Sequence, residues 1–177
     1  MAADGVGGLS GLPRSASGRP VVSLAGYRDW IGRTFHSDWC LVDQQLVTAF
    51  AVLTGDEASI HVDPQAAART RFGGCVAHGL LLVSLLPRLM RSAAPLVSGT
   101  DMGANYGYDR VRFLEPVPVG SRVRCALTLQ EMEERRPGFW LLRYAFDIER
   151  DGSPALSATG GWTIARWMKS GAAEPAV

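Results

Sequence analysis

Of the chain's three histidines, His61 lies five positions after Asp56, and His78 stands directly before Gly79. A carboxylate and an imidazole on one loop can hold a water by two hydrogen bonds and move its proton. Both must come within about 2.6–3.2 Å of that water. Gly79 opens a long apolar run, and a glycine at a helix start leaves its backbone N–H unobstructed. The helix dipole favours negative charge at that end, so the same N–H can stabilise an enolate-like oxygen. Water activation beside an oxyanion donor fits hydration of a double bond conjugated to a carbonyl. It fits thioester hydrolysis equally well, and spacing alone does not separate the two.

Plainer roles compete for each of these residues. An Asp after Thr54-Gly55 is commonly a turn or cap residue, and His61 between Ile60 and Val62 fits a hydrogen-bonded core histidine. His78 reads as structural, orienting the helix entry and so placing Gly79. Asp56, His61, Asp63 and His78 form a nominal metal set, but no two histidines stand at i, i+4. Asp63 fits better as the cap of a short helix from Pro64, so no metal is expected. Cys75 next to an apolar helix reads as inert packing. Gly73-Gly74 lacks the Lys-Ser/Thr of a phosphate cradle. Arg110 and Arg112 are open to two readings, a contact with a phosphate or pairing with Asp109 and Glu115.

The elements that must position these groups can be read from periodicity. Val22–Ile31 and Leu46–Leu53 show helical spacing, the second with Asp43 as N-cap and Gly55 as its stop. Phe35–Val42 reads as one short strand with Trp39 and Leu41 on one face, and Gly55–Pro64 as a loop anchored by Ile60 and Val62. Val76–Met90 is apolar all round, which predicts a single buried helix of four turns. Arg122–Leu129, Trp140–Ile148 and Leu156–Ile164 alternate, and Arg136-Pro137-Gly138 and Asp151-Gly152 mark hairpins between them. Helices followed by an antiparallel meander give an α+β class.

The bulk numbers exclude several functions. Net charge is +1, with 47% hydrophobic and 20% charged residues, so no nucleic-acid footprint is expected. Three unpaired, widely spaced cysteines point to a reducing, cytoplasmic setting. Met1–Gly11 lacks a basic residue and an apolar core, so no signal peptide is expected there. The longest apolar run is too short for a membrane span of about 20 residues. Residues 1–19 and 169–177 read as disordered ends around one domain, 20–168.

Combined motifs then resemble a known family. The runs Phe50-Ala51-Val52-Leu53-Thr54-Gly55-Asp56, Ile60-His61-Val62-Asp63-Pro64 and Val76-Ala77-His78-Gly79-Leu80 resemble the MaoC-like, R-specific enoyl-CoA hydratases. Asn105-Tyr106-Gly107-Tyr108-Asp109-Arg110-Val111-Arg112-Phe113 and Pro116-Val117-Pro118-Val119-Gly120 resemble their nodulation-protein-N-like branch. The resemblance spans roughly residues 24–166. It implies a hot-dog fold, a long helix wrapped by an antiparallel sheet, in a homodimer whose sheets join. It implies that Asp56 and His61 activate water, that the Gly79 N–H holds the thioester oxygen, and that His78, Ser59, Asn105 and Tyr106 support the site. The implied reaction interconverts a trans-2-enoyl and an (R)-3-hydroxyacyl thioester, carried on CoA or an acyl-carrier protein, with no other cofactor. A hot-dog thioesterase or a non-catalytic acyl-binding module is the alternative. The branch usually has His-Gln-Trp where this chain has Glu57-Ala58-Ser59. Ser59 in place of an indole is expected to leave room for a longer or branched acyl chain.

Overall fold

The computed structural model describes residues 13–15 and 18–169. In chain order the elements are β1 (Val21–Val22), α1 (Leu24–Arg28), β2 (Thr34–His36), β3 (Cys40–Val42), α2 (Gln44–Thr54), α3 (Ser59–Val62) and α4 (Pro64–Ala68). They continue with α5 (Gly79–Ser84), α6 (Leu86–Ala93), β4 (Leu96–Val97), β5 (Thr100–Phe113), β6 (Ser121–Arg136), β7 (Phe139–Arg150) and β8 (Leu156–Met168). One six-stranded antiparallel sheet runs β2-β6-β7-β8-β5, with β3 also on β6, and β1 and β4 form a small parallel pair.

The alternation read from sequence builds this sheet. On β6 the residues Val123, Cys125, Leu127 and Leu129 all point inward, and on β7 so do Trp140, Leu142, Tyr144, Phe146 and Ile148. Leu127 faces Phe146 and Leu129 faces Tyr144 across the ladder. Against them pack Leu81, Leu82, Leu85, Leu86 and Leu89 from the α5–α6 layer. The result is a helix layer enclosed by an antiparallel sheet, as the α+β reading expects. No described helix is long and apolar enough to cross a membrane.

Local capping also follows the sequence. Asp43 accepts from the Leu46 N–H at 2.8 Å and starts α2, and Gly55 ends it at φ 74°. A left-handed C-terminal position of this kind suits glycine because it has no Cβ. Asp63 caps α4 by accepting from Gln65 and Ala66 N–H groups. Such caps each contribute about 1 kcal/mol.

Four expectations need correction. The Val76–Met90 segment is not one helix: Val76 is extended and bridges Pro118, α5 begins at Gly79, and the chain breaks at Leu85 before α6. Pro87 explains the break, since it offers no N–H and its ring clashes with the carbonyl four residues back. Nor is the segment apolar-buried all round, for Leu80 is 63% exposed. Phe35–Val42 is two strands instead of one. His36 pairs with Ala126 but Cys40 with Val123, so one extra residue enters and flips the faces. Phe35, Cys40 and Val42 are therefore buried while Trp39 and Leu41 are exposed. The Gly55–Pro64 loop contains the turn α3, whose buried residue is His61, with Ile60 and Val62 only partly covered. Finally, the first helix is only Leu24–Arg28, and Ile31 beyond it is exposed.

Of the ends expected to be disordered, residues 13–15, 18–19 and Lys169 are described, and they are hydrogen-bonded. Val21 donates to Pro13 O at 2.7 Å, Ser15 to Arg19 O at 2.8 Å and Lys169 to Gly99 O at 2.8 Å. The rest of both ends lies outside the described residues.

Candidate active site

The loop after α2, the turn α3 within it and the start of α5 bring the chemistry-bearing residues together. Gly55 turns the chain out of α2 and delivers Asp56, whose side chain is 59% exposed. The single turn α3 then carries His61 inward. Its Nδ1 lies 2.6 Å from the Val76 carbonyl, and its own carbonyl accepts from Gln44 Nε2 at 2.8 Å. A carbonyl only accepts, so His61 Nδ1 carries the proton, and in the neutral ring Nε2 keeps a free lone pair. That tautomer is the one a base needs.

His78, at 3% exposure, precedes α5 and stacks on His61 with ring centroids 3.7 Å apart. Its Nε2 donates to the Asp56 backbone carbonyl at 2.8 Å and lies 4.0 Å from the Asp56 carboxylate. The imidazole thereby ties the Asp56 loop to the entry of α5. His78 Nδ1 is buried and has no partner among the described residues. Phe50 of α2 packs against the same ring at 5.1 Å.

One polar atom from each of Asp56, His61 and His78 lies within 4.8 Å of the others. That spacing suits a single water bridging carboxylate and imidazole. The same three side chains are the donor types of a divalent metal site. His78 Nε2, which lies 4.0 Å from the Asp56 carboxylate, is however already engaged with the Asp56 backbone carbonyl. Beside them, Gly79 is the first residue of α5, and no acceptor among the described residues meets its N–H.

Sequence reasoning missed what covers that glycine. A Cβ at Gly79 would lie 2.7 Å from the ring of Phe113, the last residue of β5. Gly79 is thus required for close approach as well as for an open N–H. The Val76 carbonyl and Gln44 also went unseen, because their partnerships are tertiary and leave no local spacing signal. Ser59 opens α3 and is exposed. Asn105 and Tyr106 lie on β5, and no hydrogen bond or ring contact joins them to the histidine pair. Asn105 Oδ1 accepts from Trp162 Nε1 at 3.2 Å, and Tyr106 is exposed. Burial, with Asp63 adding to it, raises the Cys75 thiol above its ordinary value, so it stays protonated. Arg110 and Arg112 make no ion pair with Asp109 or Glu115, and Arg110 sits at φ 52° where β5 bulges against β8.

A buried two-part helix wrapped by an antiparallel sheet, with polar residues gathered at the helix start, defines a hot-dog protein. The (R)-hydratase from A. caviae involved in PHA biosynthesis has this fold. It matches at TM-score 0.63 and 28% identity over 76% of this chain and 94% of its own. The family model of the MaoC like domain matches residues 28–138, and the chain belongs to that family. It is 40% identical over 141 residues to nodulation protein N of Rhizobium meliloti strain 1021, covering 77% of this chain and 88% of that protein. It is 43% identical over 132 residues to 3-hydroxyacyl-thioester dehydratase Z of Mycobacterium tuberculosis strain H37Rv, covering 75% and 86%.

Proposed function

We propose that this chain is a hydro-lyase that interconverts a trans-2-enoyl thioester and its (R)-3-hydroxyacyl thioester. The observation that carries this reading is the His61 Nε2 lone pair, freed by the Val76 carbonyl, beside the Asp56 carboxylate and the open Gly79 N–H. Its relatives named as dehydratase and hydratase support the same chemistry.

In the eliminating direction, His61 Nε2 takes the α-proton. The resulting enolate oxygen is held by the Gly79 N–H and the positive end of α5. The hydroxyl on the β-carbon leaves with a proton from Asp56, so one water departs and the double bond forms. Hydration reverses each step, with Asp56 and His61 sharing the water between them.

The carrier is CoA or an acyl-carrier protein. A homodimer is part of the proposal: β5 is bonded to β8 on one side, and among the described residues its other edge has no partner. Fourteen residues of largely exposed edge strand invite pairing with a second copy. Ser59 leaves space beside Asp56 for a longer or branched acyl chain.

The test is loss of enoyl absorbance with crotonyl-CoA and a longer trans-2-enoyl-CoA, with chiral analysis of the product and assay of free thiol. The R-alcohol without thiol release is expected. Thiol release without alcohol would replace the hydratase with a thioesterase. Ser59→Trp is expected to shift preference toward crotonyl-CoA, and an unchanged chain-length ratio would remove the claim about Ser59.

A further inference from the structure

The 18 basic and 17 acidic residues nearly cancel over the whole chain, yet they do not cancel everywhere. A cavity of about 640 Å³ is lined by Arg14, Arg19, Arg88 and Arg91, with Asp38 the one carboxylate among its lining residues. Arg88 and Arg91 stand three apart on α6, the spacing that puts two side chains on one helix face. Arg14 and Arg19 come from the segment that bridges Arg14 to Pro20. Two separate parts of the chain therefore bring arginines to one hollow.

Four arginines elsewhere on the surface are neutralised by neighbours. Arg122 pairs with Asp151, Arg124 with Glu149, Arg135 with Glu133, and Arg143 with Glu131 and Glu133. None of the four in the cavity has a carboxylate partner among the described residues. Arg14 Nη1 and Arg19 Nη2 donate to the carbonyls of Gly18 and Ala94, at 2.7 and 2.6 Å. Arg19 Nε is buried and has no hydrogen-bond partner among the described residues. Burial, then repulsion from Arg166 and Arg91, pulls the Arg19 guanidinium below its ordinary value. Gathering like charges around one hollow costs stability unless an anion offsets it. Guanidinium groups are suited to phosphate, which they bind through paired hydrogen bonds. The volume lies within the roughly 300–1,000 Å³ of small-molecule pockets.

We propose that this cavity binds a phosphorylated anion of nucleotide size, held by Arg14, Arg19, Arg88 and Arg91. The phosphates belong either to the nucleotide end of a CoA thioester or to a free nucleotide. The site stands independently of the reaction proposed above, because binding to it does not require turnover.

Calorimetric titration of the full chain with adenosine 3′,5′-bisphosphate tests it. Wild type is expected to bind in a salt-dependent manner. Arg88→Gln/Arg91→Gln should weaken binding by about tenfold or more, the scale of a lost charge-assisted contact. The charge-keeping Arg88→Lys/Arg91→Lys should retain part of it. Thermal unfolding of the ligand-free glutamine variant should occur no lower than wild type, since repulsion is relieved. A lower midpoint would mean that the pair holds the fold together and would overturn the proposal. So would the absence of binding to wild type, or equal affinity in the glutamine variant. Turnover then assigns the source. A KM raised for crotonyl-CoA but not for the N-acetylcysteamine thioester, which has no phosphates, places CoA's own nucleotide in the cavity. Lost binding with both KM values unchanged places a free nucleotide there.

Discussion

At the scale of single residues, the site depends on atoms whose partners are backbone groups. The Val76 carbonyl sets the tautomer of His61, and the Asp56 carbonyl anchors His78. Gly79 is where this arrangement is most sensitive to size. Gly79→Ala drives a methyl into the Phe113 ring, so the ring or the start of α5 must shift. The expected cost is about 1–3 kcal/mol of stability, the usual range for overpacking, together with lost activity. Adding Phe113→Ala removes the clash and should restore part of the stability in denaturant titrations. Two simply additive losses would show that Phe113 is not the obstruction. Asp56, His61 and Gly79 stood out as candidates because a short loop and a helix start set their spacing, while the roles proposed for them came with the family resemblance. Phe113 did not stand out, since thirty-four positions of chain separate it from Gly79.

At the scale of elements, local signals were legible and tertiary ones were not. Period-two alternation on β6 and β7, the Asp43 and Asp63 caps and the Gly55 stop all act within a few residues of themselves. The extra residue between His36 and Cys40 shows only against β6, so the flip of Trp39 and Leu41 was invisible. Pro87 was in plain view, but the length of the apolar run outweighed it in the helix reading. Buried polar contacts also join the elements: Tyr27 of α1 and Tyr144 of β7 share a hydrogen bond between hydroxyls at 3.0 Å. Tyr144→Phe leaves the Tyr27 hydroxyl unpaired, and about 0.5–3 kcal/mol of destabilisation is expected in urea titration. Burial raises both phenols above their ordinary value of 10.0. The unfolded chain therefore ionises them first, and the stability they contribute is full below pH 10. It falls as pH rises beyond that value toward the folded-state values. Wild type should lose more stability than the Tyr27→Phe/Tyr144→Phe variant between pH 9 and 11, and parallel curves would refute the assignment.

At the scale of the whole molecule, the long edge of β5 and the solvent exposure of Asp56 point the same way. Among the described residues β5 has a free edge, and a second copy would cover that backbone. Sedimentation at micromolar concentration is expected to give twice the 19.0 kDa mass of the chain. A monomer under those conditions would contradict the joined-sheet assembly while leaving the site geometry intact.

The central claim is that Asp56 and His61 share one water and move its protons. Its most direct measurement is the rate of crotonyl-CoA hydration by wild type, Asp56→Asn and His61→Ala, each confirmed folded by circular dichroism. Both variants should lose about 10²–10⁴ in rate, the scale of a positioned acid or base. The double variant should fall little further, because residues that act as a unit are not additive. Wild-type turnover that survives in either folded single variant would contradict the account.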